Sequence, residues 1–229
     1  MRKNLISAAL AASFLASAAG VAQAEESPIS ANVTFTSDYV YRGISQSNEN
    51  FAVQGGFDYA HDSGFYIGTW ASSIDWLDKG GAEVDVYVGF GNSIGDTDFS
   101  YDVGVLQYFY PGGEIDGEDA DTTEAYIGVG WKFLSFTYSY AFTDLFGVPD
   151  SDGSEYYDLS ADFDIGAGFG LGAHVGRQKI EGGGSYNDWK LGVTKDFVGL
   201  TFGLDYIDTD IDDTDGADER IVFSVTKSF

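Results

Sequence analysis

The residues of this chain that could do chemistry are mostly carboxylates, together with two histidines. The 229 residues hold 37 Asp and Glu against 11 Lys and Arg, and Cys is absent, so neither thiol nor disulfide chemistry is available. His61 and His174 are the only histidines. A histidine beside Ser or Asp is the pairing that activates a nucleophile, and some barrel-embedded lipid hydrolases and acyl transferases use it. Their catalytic groups face lipid or the outer rim. In "GFGLGAHVG" His174 falls opposite Phe169, Leu171, Ala173 and Val175, and no Ser stands in a recognisable arrangement with it. A lipid enzyme is therefore the remote alternative and no catalytic residue is assigned. His61, in "HDSG", reads as a solvated turn residue.

A second set is "DTDIDDTDGADE", which places Asp208, Asp210, Asp212 and Glu219 at positions 1, 3, 5 and 12 of a calcium-loop frame. The sixth position, which needs Gly for the sharp turn, is Asp213. The segment reads first as a solvated acidic loop. Its second reading is a low-affinity divalent site bridging to lipopolysaccharide phosphates. No metal site and no cofactor is assigned.

The third set emerges only with the elements that carry it. Apolar residues alternate with polar ones over runs of about ten residues, which is the pattern of a half-buried strand. "AEVDVYVGFG" sets Val84, Val86, Val88 and Phe90 against Glu83, Asp85 and Tyr87. "YYDLSADFDI" sets Tyr157, Leu159, Ala161, Phe163 and Ile165 against Asp158, Ser160, Asp162 and Asp164. "ANVTFTSDYVYRG" reads as a single strand, with Val33, Phe35, Tyr39 and Tyr41 on one face and Thr34, Thr36, Asp38 and Arg42 on the other. About twelve such runs follow one another, ending in "ERIVFSVTKSF". Only "GFYIGTWASSID" gives no clear assignment of faces. If the apolar faces point outward, the acids lining the interior are Asp38, Asp58, Asp85, Asp102, Glu124, Asp158, Asp162, Asp164 and Asp205. The lining bases are Arg42, Lys132, Lys190 and Arg220.

The connections decide between a soluble sandwich and a membrane barrel. They run long, short, long, short: "GISQSNEN", "DWLDKGG", "PGGEIDGEDADTT", "TDLFGVPDSDGS", "RQKIEGGGSY" and "DTDIDDTDGADE" alternate with "HDSG", "NSIGD", "FLS", "IGAG" and "FVG". Outer-membrane barrels have short periplasmic turns and long external loops. The expected fold is all-β, a transmembrane antiparallel up-and-down barrel of about 12 strands. Its last strand must pair with its first, because unpaired backbone groups in lipid cost several kcal/mol each. By length, "PGGEIDGEDADTT" and "TDLFGVPDSDGS" are the candidates to fold inward as a constriction.

Residues 1–24 fit a cleaved signal peptide, with Arg2 and Lys3, an apolar stretch and a small-x-small site ending at Ala24. Residues 25–229 would form one barrel domain in the bacterial outer membrane. Loss of Arg2 and Lys3 would take the formal charge from −26 to −28, which argues against a nucleic-acid partner. Expected partners are outer-membrane lipid and lipopolysaccharide, small solutes or cations, and the assembly machinery that reads an aromatic-ended final strand. Lys195 and Lys227, on outward faces near the periplasmic end, would snorkel to the headgroups.

Residues 30–75 carry "TSDYVYRGISQS", "AVQGGFDY" and "GFYIGTWASSID". In these stretches the chain resembles the opening of the TorF family of porin-like proteins. The resemblance implies an outer-membrane barrel with a pore role, and it supplies no substrate or catalytic residue. The expected function is passive diffusion of small solutes or ions, cation-preferring. The alternative is a plugged, non-conducting barrel that acts as a structural or adhesin surface protein.

Overall fold

The computed structural model describes residues 27–229. The signal segment and its cleavage point at Ala24 lie outside these residues. Twelve strands close into an antiparallel barrel: β1 (Ile29–Thr36), β4 (Ala52–Ala60), β5 (Phe65–Ser73), β6 (Ala82–Ser93), β7 (Phe99–Phe109), β10 (Thr122–Trp131), β11 (Leu134–Ala141), β12 (Glu155–Gly166), β13 (Phe169–Lys179), β14 (Ser185–Phe197), β15 (Leu200–Thr209) and β16 (Arg220–Ser228). Each pairs with its chain neighbour, and β16 returns to β1 with Phe35 opposite Val225. Phe229 extends that closure by exchanging backbone hydrogen bonds with Ala31. Two small hairpins stand in the long loops: β2 (Val40–Tyr41) with β3 (Ile44–Ser45), and β8 (Glu114–Ile115) with β9 (Glu118–Asp119).

The alternation read from the sequence is the alternation of the wall. Val33, Phe35, Val86, Val88, Val103, Val105, Ile127, Leu159, Leu191 and Leu204 are all exposed on the outside, as an apolar belt against hydrocarbon requires. Their neighbours in sequence point inward and are largely polar and buried. β5 joins this scheme with Gly68, Trp70 and Ser72 buried, and Phe65 and Ile67 exposed. The tight turn between β14 and β15 uses Val198 and Gly199, both at positive φ, the geometry of a two-residue hairpin. At this rim the Lys227 amine donates to the carbonyl of Gly199 (3.0 Å), and the Lys195 amine donates to that of Ala167. Both lysine amines therefore lie against the turns at this rim.

Three expectations need correction. "RQKIEGGGSY" is not a long loop, because β13 and β14 run on to Lys179 and from Ser185, leaving residues 180–184 as the connection. β1 stops at Thr36, so Tyr39 and Tyr41 do not face outward, and Asp38 and Arg42 are not on its wall. Lys132 sits in the turn between β10 and β11 at φ 56°, exposed and 3.7 Å from Asp98, rather than on the interior wall.

Candidate functional site

The first long loop folds into the mouth of the barrel. Its hairpin turns at Arg42 (φ 46°) and Gly43 (φ 81°), a pair of left-handed residues that suits an Arg-Gly sequence. This aims the Arg42 guanidinium across the lumen. One Nη donates to Glu124 Oε2 on β10 and the other to Gln178 Oε1 on β13, each at 2.7 Å. The guanidinium carbon lies 4.3 Å from the Tyr156 ring centroid and 4.8 Å from that of Tyr41. The Arg42 and Glu124 side chains are only 3% and 4% exposed. The base of the loop is fastened by Asp38, which accepts from Ser45, Ser47 and Arg220.

Above this hairpin an aromatic roof forms. Tyr39 packs edge-on to Trp70 at 5.3 Å, and Tyr41 to Tyr108 at 5.8 Å. Phe146, from "TDLFGVPDSDGS", meets Tyr41, Tyr108, Trp76 and Tyr110. Such edge-to-face pairs add about 0.5–1.5 kcal/mol each beyond their burial. The main inward fold thus comes from the first loop; of the two loops chosen by length, "TDLFGVPDSDGS" contributes Phe146 and "PGGEIDGEDADTT" contributes no aromatic ring. The sequence held a signal for this: the Arg-Gly turn within "DYVYRGISQS" closes a hairpin too short to span a membrane.

Below the roof, one side of the lumen is acidic and rich in tyrosine. Glu83 and Asp85 on β6 are 1% and 0% exposed. Glu83 accepts from the hydroxyls of Tyr39 (2.8 Å) and Tyr110 (2.9 Å). Asp102 accepts from Tyr66 (2.6 Å), which also bonds Tyr126, and Asp58 accepts from Tyr87. These tyrosines lie flat on glycines: a Cβ at Gly104 would meet the Tyr126 ring, and one at Gly68 the Tyr87 ring. The glycines therefore make room for an aromatic lining.

On the other side stands a histidine between two carboxylates. His174 Nδ1 contacts Asp158, and Nε2 is 2.7 Å from Asp188 Oδ1. Tyr156 donates to Asp188 (3.1 Å) and Ser160 to Asp158 (2.6 Å). Both contacts are satisfied by an imidazolium that donates from each nitrogen, or by a neutral ring with one of the two aspartates protonated. Ser160 bonds the aspartate and not the ring, so among the described residues no hydroxyl is hydrogen-bonded to the imidazole.

The remaining predicted residues divide. Asp162 is exposed to the lumen. Lys190 and Asp205 are half-buried on β14 and β15, with Lys190 opposite His174 in register. Asp164 lies at the irregular end of β12 and accepts from the Gly166 amide (2.8 Å). Glu83 and Asp188 belong to the lumen and are absent from the sequence-derived set, although their alternation places them inward.

The calcium-loop frame does not assemble. Asp208 lies on β15 beside Tyr206, and Asp210 accepts from both the backbone and side-chain amides of Asn187. Those amides hold the Asp210 carboxyl below its ordinary value. Asp213 takes the left-handed conformation (φ 55°) without a glycine. Among the described residues no three His, Cys, Asp or Glu side chains converge as metal ligands.

The barrel is shared with solved porins. A KdgM porin determined in complex with disordered oligogalacturonate superposes with a TM-score of 0.59 at 9% identity, covering 88% of this chain and 98% of that one. A NanC porin superposes with a TM-score of 0.57 at 12% identity, covering 86% and 97%. No curated protein sequence matches the chain. The closed twelve-stranded fold and its apolar belt make this an outer-membrane β-barrel. The family model described as "Bacterial protein of unknown function (Gcw_chp)" matches residues 21–229, and the chain belongs to that family.

Proposed function

We propose that the protein is an outer-membrane channel for passive diffusion of small solutes, with the inward first loop as its constriction and a preference for cations. One observation carries the preference: the lumen's bases are mostly spent on pairing and its remaining acids are not. Arg42 is paired with Glu124, Arg220 with Asp38, and His174 with Asp158 and Asp188. Among the described residues, Asp58, Glu83, Asp85, Asp102, Asp162 and Asp205 have no ion-pair partner, and Lys190 is the one inward base without one. Rings of acids in a narrow pore favour cations. The neighbour crystallised with oligogalacturonate contains a polyanion, and this lumen is built against one. The TorF-like opening segment supports a pore role.

A second reading has its own observation. The roof of Tyr39, Tyr41, Trp76, Tyr108, Tyr110 and Phe146 packs into one buried cluster at the mouth, which suits a plugged barrel that presents its loops. Planar-bilayer recording of refolded protein separates the two. A channel gives unitary currents and, under a KCl gradient, a reversal potential displaced toward the K⁺ equilibrium value. Displacement toward the Cl⁻ value would overturn the cation preference, and no conductance above background would favour the plug.

A further inference from the structure

Asp85 is fully buried, and among the described residues neither of its carboxylate oxygens has a hydrogen-bond partner. It points inward from β6, with Trp70 of β5 and Tyr108 of β7 as its register partners. Glu83, two residues along on the same face, is the second buried carboxylate and carries the Tyr39 and Tyr110 hydroxyls. The Tyr39 ring packs on Trp70 above them. Arg42, the cation of the roof, is engaged by Glu124 and Gln178. A carboxylate buried without a partner costs several kcal/mol. Aromatic faces raise that cost for an anion, and they stabilise a cation.

We propose that Asp85, together with Glu83, is a binding site for a small monovalent cation, an alkali-metal ion or a primary ammonium, at the foot of the roof. A divalent ion gives up its water more reluctantly and needs more carboxylate charge in exchange, and no third carboxylate converges here. Full burial excludes bulky quaternary or polyhydroxylated ammonium ions. The site is a resting point beneath the constriction, where conduction requires binding strong enough to admit the ion and loose enough to release it. The inference rests on the lumen being a cation path.

The test reads binding in detergent, whether or not the barrel conducts. Thermal unfolding of the refolded protein is followed by circular dichroism in chloride salts of K⁺, Na⁺, methylammonium and N-methylglucamine at equal ionic strength. The small cations are expected to raise the wild-type midpoint by about 2–4 °C over N-methylglucamine. The difference between alkali ions and methylammonium tells which source the site takes. Asp85→Asn is expected to abolish the increment, and Asp85→Glu to retain part of it. Equal wild-type midpoints in all four salts would overturn the proposal and leave Asp85 as a protonated acid. An increment that survives in Asp85→Asn would place the cations elsewhere and overturn it as well. Should Asp85→Asn fail to refold, Glu83→Gln takes its place, and an increment left at its full wild-type size there would overturn the proposal.

Discussion

At the scale of single residues, neighbours one position apart live in different solvents. Val103 is outward and near the middle of β7, and Asp102 beside it is buried under the Tyr66 hydroxyl. Val103→Arg should cost about 2–4 kcal/mol, the penalty for a cation facing mid-membrane lipid. An inward control is Asp162→Arg, where the new side chain meets the lumen, and its cost should stay below about 1 kcal/mol. Urea titrations of refolded protein in lipid check this, and equal costs would reverse the faces. This level of the site was legible in the sequence because period-two alternation is a direct image of a wall with lipid on one side. Pairing was not legible. Asp158, Asp162 and Asp164 look alike on β12, yet the first is held by His174, the second has no hydrogen-bond or ion-pair partner among the described residues and the third is tied to the Gly166 amide. Those partners come from other strands or from the strand's irregular end.

At the scale of elements, the hairpin β2–β3 decides what the barrel mouth is. It too is extended, so the alternation continues from β1 through Tyr41 without a break, and the sequence reading carries the strand too far. Only the turn chemistry marks the change. Gly43 sits at φ 81°, and a Cβ there would lie 2.7 Å from Asp188 Cβ and closer still to the Thr209 methyl. Gly43→Ala therefore combines a left-handed alanine, about 1–2 kcal/mol, with a clash against the wall. Arg42 would lose its aim at Glu124 and Gln178, while the twelve barrel pairings are untouched. We expect Gly43→Ala to leave the far-ultraviolet spectrum of the barrel unchanged, to open residues 37–51 to proteolysis, and to raise single-channel conductance several-fold. Wild-type conductance and wild-type protease resistance together would mean that the hairpin does not constrict the lumen.

At the scale of the whole molecule, the formal charge of −26 has to be placed before it explains anything. Much of it lies in the long loops, where Asp116, Glu118, Asp119, Asp210, Asp212 and Asp213 surround the mouth. The rest lies in the lumen, where the paired bases cancel only part of it. The two populations respond differently to salt. Screening shortens from about 10 Å at 0.1 M to about 3 Å near 1 M. That range removes the attraction of the open loops for cations approaching from bulk. It reaches groups inside a low-dielectric lumen much less. Cation preference should therefore fall between about 0.1 and 1 M KCl without vanishing. The residual preference belongs to lumen acids without a base. Asp162→Asn with Asp205→Asn should lower it at both salt concentrations, because both side chains point inward and neither has an ion-pair partner among the described residues. Asp212→Asn with Asp213→Asn, in the last loop, should lower the preference only at the low concentration. Reversal potentials at a fixed KCl ratio and two mean concentrations measure both effects. Equal salt dependence in the two double variants would mean that the field is set at the mouth alone, and the lumen acids would lose their assigned role in selectivity.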